Sequence, residues 1–217
     1  MKLIFIALTF SITFSSIAQM HEKGTFQAKF GYGNSVYGTL TTTTLKTNNT
    51  SFSSTDTSGA VTSHFPIELK YGLGDRFSIG LYGRFGRYLY DTADVKAKEN
   101  KFSAFGIATE FYAVNKEKWN LYFNLGFHTV NLMVIEKPNP LVTTEGKYKG
   151  TGIKAGIGTN IMLFKPVALN FNLGYDGNNL NLKEYYVNQN KQDLSNIDVN
   201  LVTKGVRYGI GLNILIK

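Results

Sequence analysis

His64 and His128, with Ser63, Thr129 and Asp176 elsewhere in the chain, are the side chains best suited to nucleophilic chemistry. A hydroxyl becomes a nucleophile when an imidazole lies within hydrogen-bond reach and an acid orients that imidazole. In "FHTVN" the extended chain sends His128 and Thr129 to opposite faces, so the adjacent hydroxyl is not the partner. Ser63 and Asp176 remain conceivable partners for His64 or His128. The chain has 3 histidines without metal-ligand spacing and 0 cysteines, which removes thiolate nucleophiles and cysteine zinc sites. The glycine pairs "GYG", "GTG" and "GIG" open no helix and so are not phosphate loops. The expectation is no catalytic residue, no metal and no cofactor.

A second constellation is ionic. Lys29, Glu68, Lys70, Arg84, Glu110, Lys154 and Arg207 all fall in stretches of strict apolar/polar alternation, and all on the polar side. Period two means strands, with one face of each kind. Eight such segments lie near residues 24 to 33, 63 to 72, 76 to 88, 102 to 113, 119 to 131, 150 to 162, 167 to 176 and 204 to 216. A turn at "FKP" places Lys154 across a strand pair from Asp176, adding a third acid. Buried charges are stable only when paired, so these eight residues are expected to form one network, a structural plug or, alternatively, a gate.

The connections alternate in length. "GLGDR", "NKEK" and "FKP" are tight turns, whereas "YDTADVKAKEN", "VIEKPNPLVTTEGKY" and the stretches between strands one and two and strands seven and eight are long and polar. Residues 39 to 58, rich in Thr, Ser and Asn, read locally as linker. One end of the molecule therefore carries short turns and both termini, the other four long loops. Short periplasmic turns and long extracellular loops are the pattern of transmembrane barrels.

The two faces decide which solvent each meets. One carries Phe30, Ile67, Leu81, Phe105, Leu125, Ile157, Leu173 and Ile210, none of them charged. The other mixes glycines with the charged set. Exposed glycines would weaken a soluble barrel, and bulky aromatics would crowd its bore. Turned inside out, apolar side chains meet lipid while glycines make room for large polar ones in a narrow lumen, and closure satisfies every backbone group. Tyr71, Phe77, Phe111 and Trp119 toward the turns, and Tyr32, Phe65, Phe85, Tyr88 and Phe127 toward the loops, are expected to form interfacial girdles.

The chain opens with Lys2, an apolar run to Phe14 and small residues before Gln19, the pattern of a signal peptide over 1 to 18 with cleavage after Ala18. Residues 19 to 217 then form a single domain. The net charge of +8 is spread along the chain, which points to anionic lipid head groups and away from nucleic acid. Pro66 removes a ladder bond and is expected at the outer rim.

The segment "ELKYGLGDRFSIGLYGRFGRY" and the final "YGIGLNILIK" resemble the small eight-stranded outer-membrane barrels related to the transmembrane domain of OmpA and to OmpX. Members often end in an aromatic residue, where this chain ends Ile216, Lys217. The resemblance implies an all-β, eight-stranded antiparallel up-and-down transmembrane β-barrel, monomeric, in the outer membrane of a Gram-negative-type bacterium. Its implied partners are outer-membrane lipid and lipopolysaccharide, the barrel assembly machinery, and an extracellular partner of the long loops. Some barrels of this kind edit lipid A, but the deacylase spacing of His then Ser two residues on is absent, since position 130 is Val. The expected function is non-enzymatic, a structural or surface-contact role, with a small channel for solutes as the alternative.

Overall fold

The computed structural model describes residues 19–47, 50–90, 100–139 and 141–216. Residues 1–18, expected as a signal peptide, and the stretch 91–99 lie outside them. The long strands are β1 (Phe26–Thr47), β2 (Thr50–Gly74), β3 (Phe77–Tyr90), β4 (Asn100–Asn115), β5 (Trp119–Asn139), β6 (Val142–Phe164), β7 (Val167–Val187) and β9 (Ile197–Ile216). A two-residue strand, β8 (Asn190–Lys191), hairpins onto the end of β7. Each long strand pairs antiparallel with its neighbour in sequence, β1 pairs β9, and β7 pairs both β6 and β9. Eight strands thus close into a ring, which leaves no edge within the wall.

The wall is inverted as its sequence pattern requires. Phe65, Leu81, Leu125, Phe127 and Ile153 are exposed on the outside, while Lys70, Arg84, Glu110, Lys154 and Asp176 are buried within. Glycines supply the room. A Cβ on Gly158 would stand 2.3 Å from the Tyr122 hydroxyl, so that residue must be glycine for Tyr122 to lie across the lumen.

Three sequence expectations change. The strands run well past the expected bounds, and within the stretch expected as linker, residues 39–47 and 50–58 form a ladder, with Thr39 opposite Ser58 and Thr47 opposite Thr50. Beyond the membrane both faces of a strand meet water, so the alternation that marks a strand fades while backbone pairing continues; β-branched Thr favours this. Tyr88 is buried in the lumen, because it shares the parity of Arg84, and so does not join the girdle. Pro66 lies within the wall, opposite Arg84 of β3, where the β1 ladder passes from Phe30–Ile67 to Gly33–His64.

Candidate functional site

The lumen is built in layers. At the turn end, residues 19–25 fold across the mouth of the barrel. Met20 and His21 are buried there, with the Met20 amide donating to Lys116 O and the Gly24 amide to Gly72 O. His21 Nε2 lies 3.0 Å from Gly74 O and its Nδ1 2.9 Å from Gln27 Nε2. The two contacts define a neutral imidazole that donates from Nε2 and accepts at Nδ1. Its ring stacks on Tyr112, centroids 4.3 Å apart. Burial holds the His21 pKa below its ordinary value, against the pull of the Gly74 carbonyl.

Above this plug lies the ionic layer. Glu110 accepts from Lys29 at 2.5 Å, from Lys70 at 2.9 Å and from Tyr112 at 2.7 Å. Glu68 pairs with Lys70 and, at 2.5 Å, with Lys154. Asp176 pairs with Arg84 and, at 3.3 Å, with Arg207. All eight residues singled out in the sequence therefore lie inside the barrel, but in two clusters and not the single network expected: Lys29, Lys70 and Lys154 share Glu110 and Glu68, while Arg84 and Arg207 share Asp176. Aromatic faces take part of the surplus positive charge: Lys154 Nζ sits 3.4 Å above the Tyr82 ring centroid and Lys29 Nζ 4.1 Å above that of Tyr122. A cavity of about 30 Å³ remains between Lys29, Glu68, Glu110 and Arg207, room for about one water.

The histidines form the next level. His128 is buried, with Nε2 donating to Asn178 Oδ1 at 2.9 Å, and Asn178 in turn donates to Thr203 at 2.9 Å. His64 is buried beside Gly33. Ser63 faces the other way and donates to Asn34 at 2.8 Å, while Asp176 is committed to the arginines and to the Tyr37 hydroxyl at 3.2 Å. No nucleophile, base and acid converge among the described residues, nor does any group of metal-binding side chains.

Toward the rim the lumen turns apolar. Tyr37, Tyr88, Phe102, Val130, Leu132, Leu180 and Leu201 pack together there, all nearly inaccessible. The sequence reading missed this layer because it ended strand five at residue 131, although Val130 and Leu132 continue the lumen parity of His128. It also missed the mouth plug, for which residues 19–25 carry no periodic signal. A depression of about 590 Å³ on the outer wall, floored by Leu121, Phe171 and Ile210, faces where lipid chains lie and not the lumen chemistry.

No family model and no curated protein matches the chain. Among solved structures it is similar to the outer membrane protein OprG from Pseudomonas aeruginosa, at 13% identity over 90% of this chain and 97% of that one, with a TM-score of 0.61. The fold is that of the small eight-stranded outer-membrane barrels. The outer membrane protein AlkL, determined by solid-state NMR in DMPC bilayers, is a second such neighbour, at 10% identity over 94% of this chain and 96% of that one, TM-score 0.51. At these identities the likeness extends to the barrel and its order of strands, and the lumen residues must be judged on their own geometry.

Proposed function

We propose that the protein is a closed, non-enzymatic barrel of the outer membrane whose role is structural or one of surface contact, exercised by the rim that stands above the bilayer. The observation that carries this reading is the ionic layer. Its charged groups span the lumen at hydrogen-bond distances around a cavity of about 30 Å³, too small for a hydrated ion to pass. The rim complements it: β1 and β2 project a hairpin whose Thr and Ser hydroxyls pair across the strands, Thr44 with Ser53 at 2.9 Å and Thr47 with Thr50 at 2.7 Å. On this reading residues 1 to 18 are removed on export, the assembly machinery inserts residues 19 to 217 as a monomer, and the turn end faces the periplasm. Planar-bilayer recording of the purified chain tests it. The expected trace has no stepwise conductance, and reproducible single-channel steps would overturn the closed reading.

The apolar layer of Tyr37, Phe102, Leu132 and Leu201 favours one second reading, access for small apolar solutes from the rim. Faster transfer of an apolar solute across vesicles with a lipopolysaccharide outer leaflet when the protein is present, slowed by Leu132→Glu, is the result that would carry it.

A further inference from the structure

On the outside of the wall, β3 to β6 bring cations together at one level. Arg87 lies opposite Lys101, Lys101 opposite Met133, and Met133 opposite Lys147; one row nearer the membrane, Asn131 lies opposite Lys149. The three lysines surround a groove of about 440 Å³ floored by Phe85 and Met133. Lys147 shares its charge with Glu184 at 3.0 Å and Glu145 at 3.6 Å, whereas Lys101 and Lys149 have no acidic partner within salt-bridge distance among the described residues. Just below stands the edge-to-face pair Phe85 and Phe105, centroids 4.9 Å apart, at the depth where aromatic side chains mark the membrane boundary. An apolar groove that opens beneath a group of lysines at head-group level matches a ligand with phosphate above and hydrocarbon below.

We propose that this face is a binding site for a phosphorylated, acylated glycolipid of the outer leaflet: Lys101, Lys147 and Lys149 engage its phosphates and one acyl chain lies in the groove over Phe85 and Met133. The proposal rests on the outward orientation of the rim but not on whether the lumen conducts. The choice of leaflet follows from position, since the groove sits at the rim end of the wall, where the outer leaflet's head groups lie.

The test uses the full chain in neutral detergent, with bisphosphorylated lipid A as probe and native mass spectrometry as readout. Dephosphorylated lipid A and phosphatidylglycerol serve as comparison lipids. Bisphosphorylated lipid A is expected to be retained on the wild type, and each of Lys101→Gln, Lys147→Gln and Lys149→Gln to weaken retention about fivefold. A control variant, Lys118→Gln/Lys165→Gln/Lys183→Gln, is expected to bind as the wild type does. Heat-dependent gel mobility of each variant checks that the barrel is intact. Equal retention of the dephosphorylated lipid, or unchanged binding by the combined variant Lys101→Gln/Lys147→Gln/Lys149→Gln, would overturn the site. Equal retention of phosphatidylglycerol would overturn the glycolipid assignment. Because binding is read on purified protein, a conducting lumen in the planar bilayer would refute the closed barrel and leave this result standing.

Discussion

Lys154 and Asp176 are ladder partners on β6 and β7, yet their charges are spent elsewhere, Lys154 on Glu68 and Asp176 on Arg84 and Arg207. A narrow lumen brings strands from opposite walls within reach of one another, so a charged side chain can pair across the bore as readily as along the sheet. One ion-pair cluster therefore ties β1, β2, β4 and β6 together from within and a second ties β3, β7 and β9, and every carboxylate in them serves at least two cations.

The first prediction follows from that sharing. Asp176→Asn would leave Arg84 and Arg207 buried without their acid, and breaking a buried pair from one side costs about 3 kcal/mol. The temperature at which the compact, fast-migrating species is lost on a detergent gel is expected to fall well below that of Asp193→Asn, whose side chain is exposed. Equal melting of the two variants would mean that the arginines find other partners.

Gly158→Ala tests the packing of the lumen. The added carbon would meet the Tyr122 ring and hydroxyl at 2.3 Å and Phe171 O at 2.8 Å, neither of which can yield without moving the wall. Overpacking of this kind costs about 1 to 3 kcal/mol. Thermal stability is expected to drop, and Gly158→Ala in a Tyr122→Ala background is expected to lose less; the same loss in both backgrounds would exclude Tyr122 as the obstacle.

How much of this was legible depends on what each residue faces. Within the bilayer, Leu125 and Asn124 must choose opposite solvents, and parity alone placed them. The same rule brought Lys29, Glu68, Lys70, Arg84, Glu110, Lys154, Asp176 and Arg207 to one interior. It could not say that Asp176 would choose Arg84 over Lys154, because that choice is made across the lumen and depends on strand tilt and side-chain reach. Above the bilayer, Thr41 and Thr42 both border water, so no alternation marked the strand, and the extension of β1 stayed hidden in composition that equally suits a loop. Residues 19–25 form no strand, and their burial follows from the size of the mouth that they fill, a property of the closed ring.

That hidden extension has a measurable consequence. In it Thr43 is paired on both sides, with Ser54 of β2 and Val199 of β9, whereas among the described residues Thr50 to Gly59 of β2 pair with β1 alone, the β3 ladder reaching Ala60. Amide exchange in detergent is accordingly expected to be slow for residues 39 to 45 and faster for 51 to 58, as between a central and an edge strand. Rapid exchange in both halves would restore the linker reading of this segment.

His21 makes the mouth plug sensitive to pH. Its folded pKa lies below the ordinary 6.5 because burial disfavours the imidazolium, so just below 6.5 the unfolded chain binds more protons than the folded one. The plug's contribution is then complete above that pH and is lost as pH falls through it, by at most about 1.4 kcal/mol per pH unit. Protonation would also turn the Nδ1 acceptor into a donor facing the Gln27 amide, breaking the contact that seats the ring on Tyr112. Gel-shift melting measured from pH 8 to pH 5 is expected to decline more steeply for the wild type than for His21→Gln. The difference between the two curves isolates the imidazole from the other titrating groups, and parallel curves would remove His21 as the sensor.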